Sequence, residues 1–155
     1  MSSFHGNFFL RSTDLISLPC VNPDSCVAIE MSIVETLKSD TVVFQTALLH
    51  TSSSGDRRIR VITLSLPVTN DMSQIYLNAD QFAIAALLTK KAVDRVFSSK
   101  LEDAREALAY KLAEILAVYK HTFNLNTHTA QLLISENLKL LPIMVLGMIK
   151  NVFIF

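Results

Sequence analysis

The side chains best suited to binding lie in the stretch GDRRIRVITLSLP, where three arginines follow a Ser/Gly turn. Arg57, Arg58 and Arg60 stand at the start of an apolar, strand-like run. Their guanidinium groups can pair with nearby carboxylates such as Asp56 or Glu30, where a strand end reaches solvent. Alternatively, they can dock an acidic peptide or a phosphate through bidentate hydrogen bonds. The pattern alone favours the first interpretation and leaves the second open.

The histidines and acidic residues form no recognisable catalytic pattern. The sequence has no HExxH, GxSxG, P-loop or GxGxxG motif. His50 is followed by Thr51 and three serines, but neighbours within one turn are not arranged as a Ser–His pair. Glu102 and Asp103 fall in the first turn of a predicted helix, where the helix dipole accounts for them. We therefore predict no catalytic residue and no enzymatic activity.

The two cysteines do not indicate a metal site. Cys20 and Cys26 flank a turn that contains Pro23, and no CxxC pair or Cys/His cluster accompanies them. They could close a small disulfide loop, although two reduced cysteines in a cytosolic protein are the favoured interpretation. We expect no metal and no cofactor.

The composition describes a neutral chain that is rich in apolar residues. Half of the 155 residues are hydrophobic, and 14 basic residues balance 14 acidic ones. This balance gives no overall electrostatic case for binding nucleic acid or a membrane. The apolar run from Leu138 to Phe155 has an uncharged core of only ten residues, Leu140 to Ile149. A bilayer span needs about 20, so we predict a buried helix, with a membrane tail anchor over 138–155 as an alternative.

The first half of the chain has the patterns of β-strands. Residues 27–34 alternate between apolar and polar positions, as in a half-buried strand. Residues 41–49 are apolar on both faces, as in a central strand, and residues 57–66 form the next strand. The turn between these last two segments predicts an antiparallel hairpin. Alternation along its second strand places Arg58 and Arg60 on one face.

The second half has helical patterns. Asn78 and Gln81 stand three residues apart before an apolar stretch, as at the start of a capped helix, and Ser99 and Glu102 predict a second capping box. The helix that follows Ser99 has apolar residues at three- and four-residue steps. These are Leu101, Ala104, Leu108, Leu112, Ile115 and Tyr119.

The last part of the chain is also predicted to be helical, so strands come first in the sequence and helices second. Residues Asn124 to His128 read as a polar loop, and a last helix is predicted from Glu136 to Lys150 with Pro142 near its first turn. The change of character falls near residue 70. This order predicts an α+β fold or two adjacent domains.

Several stretches of the sequence resemble one known family of coat proteins. The stretches are Phe4–Leu15 (FHGNFFLRSTDL), Phe44–Leu49, Arg57–Val61, Ala79–Gln81, Lys91–Arg95 (KAVDR) and Leu101–Arg105. In order and with few gaps, they resemble the Sec24 family, the cargo-selecting subunit of the COPII inner coat. The sister subunit of that coat shares an RRIRV-like strand, whereas the HGNFF and KAVDR stretches favour the cargo-selecting subunit.

The resemblance implies a domain organisation. Residues 1–70 are expected to be part of an antiparallel β-sandwich domain, and residues 71–155 part of an all-helical domain. The zinc finger, the trunk and the gelsolin-like domain of the family have no counterpart in this sequence. The chain is therefore expected to be a fragment with no cofactor of its own.

The resemblance also implies a function. It indicates a cargo adaptor in ER-to-Golgi transport without catalysis, cytoplasmic and peripheral on ER exit sites and COPII vesicle membranes. The implied partners are the sister inner-coat subunit, a small GTPase, the ER membrane surface and the cytosolic export signals of membrane cargo, with no nucleic acid. The alternatives are a fragment of the sister GTPase-activating subunit and the tail-anchored membrane protein.

The resemblance finally implies a cargo-binding site. Acidic export signals bind a pocket of the family, and Leu48 matches an apolar residue of that pocket. Arg58 and Arg60 are the nearby arginines that could add positive charge to it. A leucine buried in a strand is the alternative interpretation of Leu48.

Overall fold

The computed structural model describes residues 2–123 and 134–151. In these residues the strands are β1 (Ser3–His5), β2 (Phe9–Ser12), β3 (Leu15–Ser17), β4 (Ala28–Glu30), β5 (Thr41–Thr51) and β6 (Arg57–Pro67). The helices are α1 (Met72–Leu77), α2 (Gln81–Val96), α3 (Leu101–Thr122) and α4 (Leu141–Lys150). Antiparallel strands precede helices, so the predicted α+β class is confirmed.

The predicted hairpin is the longest strand pair. β5 and β6 pair antiparallel from Thr41 opposite Pro67 to Thr51 opposite Arg57, without a register shift. The turn between them contains Gly55, whose φ of 89° lies in the region that favours glycine. The Ser/Gly turn therefore fixes the register of both strands.

The burial predicted for this hairpin is wrong. Every residue of β6 is exposed, Ile59 to 68%, and no residue of β5 is fully buried. Within the described part of the chain, no other strand or helix packs against the pair. An apolar run shows that both faces of a strand can be covered, but it does not show that anything covers them.

The strand predicted over residues 27–34 is much shorter than expected. β4 comprises three residues, which pair with β1 in the register Ser3–Glu30, Phe4–Ile29 and His5–Ala28. After Glu30 the chain leaves the pair, and Ile33 is 76% exposed. The strand ends where its three-residue partner ends, which the alternation of side chains cannot reveal.

The core of the structure lies among the helices. Its buried cluster comprises Ala85, Leu88, Ala92, Leu108, Tyr119, Leu138, Leu141 and Val145. The predicted apolar stripe of α3 is confirmed, because Leu108 and Tyr119 are buried, while Leu112 and Ile115 pack against the cluster. Burial raises the pKa of the neighbouring Tyr76 hydroxyl.

The predicted helix caps need correction. The carboxylate of Asp80, not Asn78, caps α2 by accepting hydrogen bonds from the next backbone amides. At the start of α3 the capping residue is Lys100, and no side chain caps the helix. The Ser99 hydroxyl instead donates to the Arg95 carbonyl at the end of α2.

The first and last helices also differ from expectation. α1 was not predicted, and Asp71 caps it by accepting a hydrogen bond from the Ser73 amide. α4 begins at Leu141 instead of Glu136, although Pro142 does lie in its first turn. The predicted loop at 124–128 lies outside the described residues, as do residues 152–155. Among the described helices, none is both long and apolar enough to cross a membrane.

Candidate functional site

The hairpin brings the three predicted site residues together. Leu48 of β5 lies directly opposite Arg60 of β6, and His50 lies opposite Arg58. Residues opposite each other in an antiparallel pair share one face, with Cβ atoms about 4.5–5.5 Å apart. We call the surface formed by Leu48, His50, Arg58 and Arg60 the arginine face. Arg57 lies on the other face, opposite Thr51.

The two arginines of this face have different environments. Arg58 Nη2 lies 3.0 Å from Asp56 Oδ2, and both side chains are more than half exposed. An ion pair this exposed contributes little stability, but it occupies the guanidinium group. Arg60 has no ion-pair partner in the part of the chain that the structure describes. Arg60 is therefore the cation of this face that is most available to a ligand.

The apolar and polar side chains of β5 complete this face. Leu48 is half-buried, whereas its neighbour Leu49 points to the other face and is 52% exposed. His50 is also half-buried, and its Nδ1 has no hydrogen-bond partner in the described residues. Sequence reasoning missed His50 as part of this surface, although its spacing of two residues from Leu48 was the available signal.

The same face becomes apolar towards the open end of the hairpin. Val42, Phe44, Leu64 and Leu66 lie on it, and the segment 31–37 borders a cavity of about 830 Å³ beside them. One continuous face is thus apolar at one end and positively charged at the other. An extended ligand with apolar side chains and a carboxylate would match this arrangement.

A second polar cluster joins the strands to the helices. The side chain of His5 lies between Asp94, with 2.6 Å from Nδ1 to Oδ2, and Glu30, with 3.4 Å from Nε2 to Oε1. Lys91 Nζ lies 2.5 Å from the same Glu30 oxygen. The hydrogen bond from Lys91 is the main cause of the lowered pKa of Glu30. No functional role was predicted for these four residues.

Within residues 2–123 and 134–151, no group of three or more His, Cys, Asp or Glu side chains is arranged to hold a metal ion. Cys20 and Cys26 are both free and exposed.

Comparison with known proteins identifies related domains over most of the chain. Residues 1–69 match the family model of the Sec23/Sec24 beta-sandwich domain. Residues 80–155 match that of the Sec23/Sec24 helical domain.

Individual relatives match over nearly the whole chain. Protein transport protein sec24 of Schizosaccharomyces pombe is 48% identical over 153 residues, which are 97% of this chain and 16% of the relative. Human protein transport protein Sec24B is 48% identical over 152 residues, or 97% of this chain and 12% of the relative. The crystal structure of the human COPII-coat protein Sec24c superposes with a TM-score of 0.82 at 27% identity, covering 98% of this chain and 20% of that one.

These matches confirm the resemblance noted from the sequence. The chain spans about a sixth or less of the length of these two curated relatives. The chain therefore belongs to the Sec23/Sec24 family, within which it corresponds to a β-sandwich portion followed by a helical portion of the Sec24 type.

Proposed function

We propose that this chain is part of a COPII coat subunit that selects cargo for ER-to-Golgi transport, without catalysis of its own. The observation that carries the proposal is the match of 97% of the chain to Sec24 proteins at 48% identity. The named relatives are Sec24 proteins, which favours the adaptor over the sister GTPase-activating subunit. The tail-anchor alternative is disfavoured because α4 has only ten residues, against the roughly 20 that span a bilayer.

We propose that the arginine face contacts the acidic export signals of cargo. Leu48 supplies an apolar surface, and Arg60 directly opposite supplies a guanidinium group with no described ion-pair partner. A guanidinium group can donate two parallel hydrogen bonds to one carboxylate, which suits a signal that combines acidic and apolar side chains. Arg58 would contribute less, because a ligand must compete with Asp56 for its guanidinium group.

The remaining partners and the location are proposals of the same kind. They are the sister inner-coat subunit, a small GTPase and the ER membrane surface, with the protein cytoplasmic and peripheral at ER exit sites and on COPII vesicles. A net charge of zero gives no support for nucleic acid as a partner. The division into domains at residue 70 stays a prediction, as does the absence of a cofactor.

A vesicle-budding assay would test the cargo-binding role. We would use a full-length Sec24 protein that carries this chain in place of its own matching segment. Leu48→Trp should reduce the packaging of cargo with acidic signals and spare other cargo, since a bulkier ring fills the apolar surface. Equal loss of all cargo would indicate damage to folding and would contradict a binding role for Leu48.

The arginines offer a matched comparison in the same assay. Arg60→Glu should lower the packaging of acidic cargo strongly, because it turns an attraction into a repulsion. Arg57→Glu makes the same chemical change three residues away, on the opposite face. Equal effects of the two changes would show that the overall charge of the strand matters, and not the arginine face.

A further inference from the structure

Two of the sequence stretches that identify the family touch each other in the structure. His5 belongs to the FHGNFF stretch at the start of the chain, and Lys91 and Asp94 belong to the KAVDR stretch of α2. Between them lies Glu30 at the end of β4. These contacts join residues up to 89 positions apart in sequence. The cargo-binding role proposed above gives no reason for either stretch.

Acidic and basic side chains alternate in this cluster. Asp94 and Glu30 lie on either side of the His5 ring, and Lys91 bonds to the oxygen of Glu30 that faces His5. The His5 side chain is 12% exposed, so it occupies the centre of the cluster. Its Nε2 lies 3.4 Å from Glu30 Oε1 without forming a hydrogen bond. The shorter bonds to Asp94 and Lys91 thus connect one strand each to α2.

The two sides of the cluster differ in how firmly they are held. α2 is anchored in the core by Ala85, Leu88 and Ala92. The β1–β4 pair has three residues in each strand, and an isolated pair of strands is at best marginally stable in water. α2 is also the only described helix against which a strand packs, and the strands in question are β1 and β4. The strand pair therefore depends on α2 for its position.

We propose that His5, Glu30, Lys91 and Asp94 form an electrostatic clamp that holds the β1–β4 pair on α2. The clamp is a positioning device and does not contact cargo. Its residues lie apart from the β5–β6 hairpin, which packs against no described helix. Loss of the clamp should therefore loosen β1 and β4 and leave the hairpin as it is.

Hydrogen exchange of the full chain, measured by mass spectrometry, would test the clamp. Lys91→Glu and Glu30→Lys should each make the amides of β1 and β4 exchange about two- to fivefold faster, the range for exposed ion pairs. The combined exchange of charges, Glu30→Lys with Lys91→Glu, should restore part of the protection, because the attraction between these two positions is rebuilt with reversed signs. The amides of β5 and β6 should be unaffected in all three variants.

Lys90→Glu is the control for the change of charge, since it makes the same substitution one position earlier on α2, at a partly buried lysine that forms no ion pair with the described residues. It should leave β1 and β4 unchanged. The proposal is overturned if single reversals do not accelerate exchange in β1 and β4, if the double variant fails to restore protection, or if Lys90→Glu acts equally. If a charge reversal unfolds the whole chain, the same exchange measurement on Asp94→Asn provides the test. It removes one charge with little change of shape and must loosen β1 and β4 alone.

Discussion

Replacing Leu141 with alanine gives the most direct test of where the core lies. Leu141 is completely buried at the start of α4, whereas the preceding Leu140 is 44% exposed. The two leucines are adjacent in sequence and identical in chemistry. Replacing each with alanine therefore isolates the effect of burial on the free energy of unfolding.

The expected magnitudes follow from the burial of the two side chains. Leu141→Ala removes about three buried carbon groups, worth about 0.8 kcal/mol each, or about 2.4 kcal/mol in total. The cavity left beside Leu138 and Val145 should raise the loss to about 3 kcal/mol. Leu140→Ala loses roughly half the transfer term and leaves no closed cavity, so about 1 kcal/mol is expected.

Urea unfolding followed by far-ultraviolet circular dichroism would measure both losses, because that signal reports mainly on the helices. With a slope of about 2 kcal/mol per molar urea, the two midpoints should differ by about 1 M. Equal shifts for Leu140→Ala and Leu141→Ala would refute the packing of α4 described above. A variant that changes the slope instead of the midpoint would indicate altered compactness and would need a different explanation.

Further predictions concern protonation and helix capping. The pKa of Glu30 is lowered in the folded chain. The ionised carboxylate therefore stabilises the fold fully above the usual glutamate value of 4.5, and this stabilisation is lost as pH falls through the lowered pKa. Measuring the free energy of unfolding against pH should show this loss in the native chain and not in Glu30→Gln. The pKa of Tyr76 is raised, so the folded chain holds this proton more tightly and stability should fall as pH rises above 10.0; Tyr76→Phe should reduce that alkaline loss. Asp80→Ala should lower the free energy of unfolding in urea by about 1 kcal/mol, because the α2 cap is lost. Ser99→Ala should lower it much less, because Ser99 does not cap α3. A larger loss for Ser99→Ala than for Asp80→Ala would instead support the capping box predicted from the sequence.

The hairpin shows how far local patterns reach into the candidate site. Its two strands were predictable because their apolar residues surround a short Ser/Gly turn, and the turn sets the register. Alternation also placed Arg58 and Arg60 on one face, as the structure confirms. The position of Leu48 opposite Arg60 follows from the same register. The partner of Arg58 was one of two suggested carboxylates, Asp56.

The helix ends show where local patterns fail. A serine and a glutamate three residues apart predicted a capping box at Ser99, but that hydroxyl bonds back to the end of α2. Asp80, Asn78 and Gln81 lie within four residues, and only the backbone path selects the one whose oxygen reaches the free amides. Capping depends on the backbone geometry of a single residue, which the spacing of residue types does not determine.

The sequence by itself determined the order of strands and helices, the hairpin, the apolar stripe of α3 and the family, because these depend on residue types at short spacing. Tertiary structure alone decided that no described strand or helix covers the hairpin, that His5 meets Asp94 and that Lys91 meets Glu30. The physical reason is the distance along the chain over which each property is set. Side-chain periodicity is a property of a few consecutive residues, whereas burial and charge pairing depend on where the chain brings distant segments together.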